Sequence, residues 1–203
     1  FAYLKAHKTC LTKRNMPNAT SQTWYQYGRS QSLTKFAGEK LIFPILSREP
    51  KYAHDNRNTV VTGGGNGPYN LIRMRNDSNL SLKFIQAVLC HPVLEAMVRA
   101  VASAFQGGYY SHGKQFIADL PIPNLDLSDK TQKKYYDKVL ALVCDLEQVS
   151  DALIKAKTPK AQEVLKRRNQ SLRGQLNQAT GSFWKITPED IETAKMVQPY
   201  QAD

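Results

Sequence analysis

Leu120-Pro121-Ile122-Pro123 divides the sequence into two kinds of text. A proline ring fixes φ, removes an N–H donor and turns the preceding residue away from helix, so this quartet is a stiff extended link that no helix crosses. Downstream, Tyr135, Val139, Leu142, Leu146, Val149 and Leu153 recur at intervals of four and three, a heptad seam over about five turns of helix. Thr158-Pro159 supplies a cap and a first-turn proline for a second helix, with Val164, Leu165, Leu172 and Leu176 along one side before Gly181. Thr187-Pro188-Glu189-Asp190 repeats the start signal for a short third helix, its acids placed where the helix dipole favours them. The pattern predicts two long antiparallel helices and a short closing one. The seam needs a partner surface, which its own hairpin partner, the preceding domain or another subunit could each provide.

Upstream of the quartet the periodicity is different. Lys40 to Leu46, Thr59 to Thr62 and Tyr69 to Arg75 read as strands separated by turn-formers, with Gly63-Gly64-Gly65-Asn66-Gly67-Pro68 as a turn or flexible loop. That loop lacks the Gly-Lys-Ser/Thr ending of a phosphate-binding loop. From Ser78, Leu82, Ile85, Val88, Leu89, Leu94, Met97, Val98, Val101 and Phe105 repeat at three and four, an amphipathic helix that Pro92 breaks or restarts. Gly107-Gly108 ends it, and Tyr109 to Ala118 returns towards loop and short strand. The fold class expected is α/β in the mixed α+β sense: a mixed sheet body followed by a long helical hairpin and a short C-terminal helix.

The charge is distributed unevenly along the 203 residues, which carry a net +11. Residues 1–75 hold 12 basic and 3 acidic side chains, residues 76–125 hold 3 of each, and residues 126–203 hold 13 and 11. A positive field concentrated in the first third attracts a polyanion, and nucleic acid is the usual one; a solubilising excess without a partner is the alternative. No apolar run approaches the ~18 residues of a membrane span, so no membrane partner is expected. Cys10, Cys90 and Cys144 form neither a disulfide framework nor a paired metal motif, which fits reduced thiols in a cytoplasmic protein. The sequence opens Phe1-Ala2-Tyr3-Leu4 with no initiator methionine or leader pattern, so a larger parent chain is expected.

Catalytic patterns are sparse. His7, His54, His91 and His112 do not pair at metal-ligand spacing, so no metal is expected. Glu49-Pro50-Lys51 holds a carboxylate two residues before a lysine, as some nucleases do, but no Pro-Asp pair precedes it. Neither a nucleophile elbow, nor a glycine-rich cofactor loop, nor the Asn-Pro-Pro-aromatic loop of an amino-methyltransferase is present. Binding chemistry is denser. Trp24-Tyr25-Gln26-Tyr27-Gly28-Arg29-Ser30-Gln31 brings together groups that stack on bases, bond phosphates and read base edges, Arg suiting guanine and Gln adenine. A half-buried strand and turn with Trp24 and Tyr25 in the core is the competing explanation. Arg48, Lys51, Tyr52, His54, Arg57 and Asn58 form a polar basic loop, followed by Asn66, Arg73 and Arg75; individually, each is also compatible with a solvated loop charge.

Tyr27-Gly28-Arg29-Ser30-Gln31-Ser32-Leu33, Lys40-Leu41-Ile42-Phe43-Pro44, Gly107-Gly108 and Leu120-Pro121-Ile122-Pro123 stand in an order and spacing that resemble the C-terminal target recognition domain of Taq-type adenine-specific DNA methyltransferases. The sequence is similar also to the fused restriction-modification enzymes that carry nuclease, methyltransferase and specificity parts in one chain. It departs from the family where a Leu-Tyr-Gly-Leu before the last helix reads Ser182-Phe183-Trp184-Lys185-Ile186. The resemblance implies a connector at residues 1–18 from an upstream domain, a recognition domain at 19–125 and a helical region at 126–203. It further implies double-stranded DNA as partner, with S-adenosylmethionine and a flipped adenine handled by an upstream methyltransferase domain. Arg29 and Gln31 are then the expected base-edge or target-strand contacts and Tyr27 a stacking or backbone-positioning residue. Arg48, Lys51, Arg57, Arg73 and Arg75 are expected to neutralise phosphates, with His112 and Lys114 as further candidates. Half of a separate specificity subunit, or a protein-interaction module of another class, are the alternative readings.

Overall fold

The computed structural model describes residues 1–14, 16, 20–26, 37–61 and 68–199. They fall into two compact units, Phe1–Phe36 and Ala37–Asp203. In the first, two short helices, α1 (Ala2–Ala6) and α2 (Lys8–Thr12), precede a turn built on Thr20 and Thr23. Arg14 donates to the carbonyls of Trp24 and Gln26 at 2.9 and 3.1 Å, holding that turn against the end of α2. Trp24 is buried, with Lys8 5.4 Å from its ring centroid and the Phe1 and Tyr25 rings around it. The core alternative for Trp24 therefore holds, although the backbone is a turn and not a strand.

The second unit is mixed α+β. Strand β1 (Lys40–Pro44) is central in a three-stranded antiparallel sheet, between β3 (Ala53–Asp55) and β4 (Tyr69–Ile72). Alternation turns Leu41 and Phe43 into the core. Pro44 has no N–H to extend the ladder and ends the strand. One residue later the chain enters a second antiparallel sheet as β2 (Leu46–Ser47), paired to β6 (Tyr109–Ser111), which pairs in turn with β5 (Ala104–Phe105). Ile45 joins the two sheets: its N–H donates to Pro68 O at 2.9 Å and its carbonyl accepts from the His112 N–H at 2.6 Å. Gly107 and Gly108 turn the β5–β6 hairpin at φ +79° and +77°, backbone values that glycine adopts without steric cost.

Helix α3 (Leu82–Leu89) packs behind β1 and β3, and α4 (Pro92–Val101) follows it and packs against α3. Ser81 caps α3, and His91 caps α4 through Nδ1, which accepts from the Val93 N–H at 3.2 Å. A one-turn α5 (Lys114–Ile117) leads through the proline link to α6 (Lys130–Lys155), capped by Asp129, and α7 (Pro159–Gly181), capped by Thr158. A 3₁₀ turn at Ser182–Trp184 and Lys185 at φ +57° reverse the chain into α8 (Pro188–Met196), which opens with a Thr187–Asp190 capping box. This reversal is what the departing stretch Ser182 to Ile186 builds. It lays α8 along α4, where Arg99 donates to Val197 O at 3.0 Å.

The seam of α6 serves two neighbours at once. It packs on α7, and its Val139 also enters the same core as Phe84 and Val88 of α3, together with Tyr136 and Val143, which the seam did not include. Each fully buried side chain of this size contributes roughly 1.5–3 kcal/mol. The Ser81 N–H donates to Tyr136 Oη at 2.9 Å, and Tyr135 Oη donates to Thr180 O at 3.1 Å. Two expectations are corrected. Thr59 to Val61 is not a strand, because Thr59 is held back by Asp55, which accepts from its N–H and hydroxyl at 3.0 and 2.6 Å. Phe105, counted with the amphipathic helix, lies in β5, since α4 ends at Val101. Among the described residues no single helix is long and apolar enough to cross a membrane.

Candidate nucleic-acid interface

The switch from one sheet to the other leaves a cleft of about 630 Å³, and Arg48, Lys51, Tyr69 and Tyr109 lie on its lining. The register of the strands brings them there. Pro44 pairs with Tyr69 at the end of one sheet, and Ser47 pairs with Tyr110 in the other, so Tyr109 emerges beside the residue that follows β2. The Arg48 guanidinium lies 4.7 Å from the Tyr109 ring centroid, a cation–π arrangement, with Gly107 packed close to it. Tyr69 and Tyr109 are each 41% exposed, so both keep ring surface towards solvent. Lys51 approaches Glu49 at 3.3 Å, but both side chains are largely exposed and the pair is screened by water. The cleft offers two cations, the Glu49 carboxylate and two aromatic faces, and the cations and rings are groups that bond phosphates and stack on bases.

The other sequence-predicted residues are placed differently. Tyr27, Arg29 and Gln31 lie outside the described residues. Arg57 is exposed in the turn after β3, where its N–H donates to Asp55 Oδ1 at 3.3 Å and Asn58 sits at φ +56°. Arg73 and Arg75 are exposed in the segment after β4, Arg73 next to Gly38, and Lys114 is exposed at the first position of α5. None of these four lines the cleft. His112 is 2% exposed and points inward, its Nε2 3.0 Å from Glu95 Oε1, so it presents no surface to a ligand in this arrangement.

That inward cluster is polar and tightly enclosed. Tyr110 Oη donates to the same Glu95 oxygen, and burial, reinforced by this carboxylate, pushes the Tyr110 hydroxyl far above its ordinary pKa. Burial does the same to Tyr52, with Glu95 adding to it. Both tyrosines stay neutral, and the hydroxyl that Tyr110 donates to Glu95 ties β6 to α4. The sequence nominated neither tyrosine of the cleft. The glycine pair at 107–108 was the available signal for Tyr109, since a hairpin turn forces the next residue to the strand's start, where one face is open.

A second cleft, of about 750 Å³, lies between the Glu49–Tyr52 loop, α3, α6 and α7. Lys51 stands on its edge and Arg173 on its far wall. Cys90 borders it, and burial raises its thiol to about 11, which leaves it protonated and a poor nucleophile. Lys83 pairs with Glu147 at 2.6 Å, and the carboxylate raises the lysine's pKa. Among the described residues no group of His, Cys, Asp and Glu is arranged to hold a metal ion.

Fold and cleft together define a mixed α+β protein with a basic, aromatic-lined surface, and sequence comparison relates it to restriction-modification enzymes. The chain is 35% identical over 144 residues to the type II restriction enzyme and methyltransferase RM.Eco57I of Escherichia coli. The match covers 68% of this chain and 14% of the length of that enzyme. No family model matches the chain.

Proposed function

We propose that this chain is the sequence-specific double-stranded DNA recognition part of a restriction-modification adenine methyltransferase. The observation that carries the reading is the cleft at the sheet switch, where Arg48 and Lys51 meet Tyr69 and Tyr109. The likeness to an enzyme named for restriction and methylation supports it. In this reading Arg48 and Lys51 neutralise phosphates and fix the register of the duplex, while Arg29 and Gln31 read base edges. Arg57, Arg73 and Arg75 in the loops after β3 and β4, and Lys114 at the start of α5, add phosphate contacts outside the cleft.

Holding the duplex in register is the chemical service such a part performs. Extruding an adenine costs a few kcal/mol of stacking and pairing, and phosphate contacts on either side supply part of it. S-adenosylmethionine is assigned to a methyltransferase domain outside this sequence. Among the described residues neither cleft has a glycine-rich strand-to-helix turn to cradle it, and no chemical step is assigned to this chain.

The test is selection from a pool of random duplexes at low and at moderate salt. Enrichment of one short sequence at both salts is the expected result. Binding without enrichment at either salt removes the specific-recognition reading.

A further inference from the structure

Averaged over residues 126–203 the charge nearly cancels, and that average conceals a local concentration. Residues 155–181 carry seven lysines and arginines against one carboxylate, Glu163. From Lys166 to Gly181 the helix α7 holds four cations and no acid. All of these cations are exposed. Arg167 pairs with Glu163, Arg173 donates to Asn169 Oδ1 at 2.8 Å, and Lys166 and Arg168 make no ion pair among the described residues.

Helical geometry arranges them around one line. Leu172 and Leu176 are buried and define the inward side. At about 100° per residue, Arg167 and Gly174, seven apart, fall on the line opposite, together with Lys160. Lys166 flanks that line on one side, where Arg173, seven residues on, turns to the rim of the second cleft, and Arg168 flanks it on the other. Gln170, Ser171 and Gln178 occupy the strip between, exposed and without charge. Gly174 is the odd residue here. It sits mid-helix with ordinary φ, a β-carbon there would meet nothing within 4 Å, and glycine is the poorest helix former after proline. Nothing inside the fold asks for it. A bare backbone on the outer line does let another surface approach the helix closely.

We infer that the outer face of α7 is a second DNA-binding surface, laid along a groove of the duplex. A helix about 10–12 Å across fits a major groove about 12 Å wide. Lys166 to Arg173 span about 10 Å, short enough for a straight helix to keep them beside one stretch of groove. Cations on both flanks then reach the phosphates of the two groove walls, amides face the floor, and Gly174 lets the helix settle. The inference rests on the reading of the chain as a DNA-binding part, but it concerns a different surface from the cleft.

The test uses the whole chain, with random and selected duplexes and a heparin fragment as probes. The Lys166→Gln, Arg167→Gln, Arg168→Gln triple variant changes only exposed side chains, so an unchanged melting temperature is expected. Its affinity for every duplex should fall at least tenfold at low salt, and the salt slope should shrink by about 3 units. Gly174→Leu should melt no lower than the parent, because leucine favours helix and meets open space, yet bind duplex at least tenfold more weakly. Unchanged duplex affinity and slope in the triple variant overturn the inference, as does loss of heparin binding alone. Unchanged affinity in Gly174→Leu overturns the groove placement. If the parent chain fails to discriminate among sequences while the triple variant still loses affinity, the specific-recognition reading falls and the α7 surface stands.

Discussion

Lys40 and Asp55 face each other across β1 and β3 and close a 2.5 Å ion pair, with Lys40 completely removed from solvent. Lys40, with the Thr59 hydroxyl and the Thr59 and Arg57 amides, holds the Asp55 carboxyl well below the usual carboxylate range. A group whose folded pKa is depressed contributes stability above its unfolded value, about 3.9, and that contribution is lost as pH falls through the folded value. Asp55→Asn should therefore destabilise the protein at pH 7, since it takes the carboxylate away from the buried Lys40 ammonium. Urea melts at pH 7 and pH 3 check it. The gap between parent and variant should narrow at pH 3, and an equal gap at both would assign the effect to something other than the carboxylate's charge.

His91 loses stability in the same direction, but in a higher pH window. Its Nδ1 accepts from the Val93 N–H, so Nε2 carries the proton and donates to Asn177 O at 3.1 Å. Burial lowers its pKa, with the Asn177 carbonyl opposing. The unfolded chain then binds the proton more readily than the folded one. Stability is full above the unfolded value of about 6.5 and declines as pH falls below it. His91→Gln should flatten the stability profile between pH 7 and pH 5, measured by urea midpoints. A profile as steep as the parent's would place the titrating group elsewhere.

Gly181 closes α7 directly against that ring. A β-carbon there would stand 2.9 Å from His91 Nε2 and 3.2 Å from Ile186 Cβ. Alanine gains up to about 1 kcal/mol in helix propensity over glycine, but overpacking a held ring costs about 1–3 kcal/mol. Gly181→Ala is expected to lose about 1–2 kcal/mol in denaturant melts. A stabilised variant would mean that the ring yields.

How far the sequence disclosed this arrangement depended on the kind of signal. The proline link, the caps at Thr158 and Thr187 and the α6 seam were legible because they are local chemistry: φ restriction, side-chain acceptors for free N–H groups, and a period of 3.5. What α6 packs on was not, since Val139 of the seam and Tyr136 beside it enter the core of Phe84 through contacts some fifty residues away in the chain. Lys40 looked like a strand-end cation, and only its register with Asp55 removes it from water. His112 resembled a surface histidine for the same reason: its partner, Glu95, is on a helix whose position no local pattern records. The basic first third was visible as charge. That Arg48 and Lys51 share a cleft, and that Tyr69 and Tyr109 line it, follows from a sheet switch at Ile45 that composition does not encode.

Arg29 and Lys51 should fail differently when removed. A side chain bidentate to a base edge discriminates by about 1–3 kcal/mol, so Arg29→Ala is expected to relax preference at one or two base pairs and leave affinity for random duplex nearly unchanged. Lys51→Ala should weaken binding to all duplexes alike and lower the salt slope by about 1 unit. Titrations of both variants against the selected duplex and single-base-pair variants separate the two. Intact discrimination in Arg29→Ala, with the fold preserved, would remove that residue from the reading set.

Arg48 and Tyr109 act as a unit if the cleft binds DNA. The guanidinium stacked on the ring is pre-positioned, so a phosphate meets a cation whose rotamer freedom is already restricted, and the exposed edge of the ring stays open to a base or sugar. Removing the ring should free the arginine, and removing the arginine should leave a phosphate without a partner. Each single change, Tyr109→Ala and Arg48→Ala, is expected to weaken duplex binding by about 1–2 kcal/mol, the range of one lost stacking contact or charge-assisted hydrogen bond. The double variant should lose less than the sum, with a coupling of at least about 0.5 kcal/mol. Arg48→Lys should recover only part of what Arg48→Ala loses, because an ammonium keeps the charge but cannot lie flat on the ring or fork to two phosphate oxygens. Strict additivity in the cycle, or full rescue by lysine, would mean that the stacked pair does not meet the duplex and that Arg48 contributes only as a diffuse positive charge.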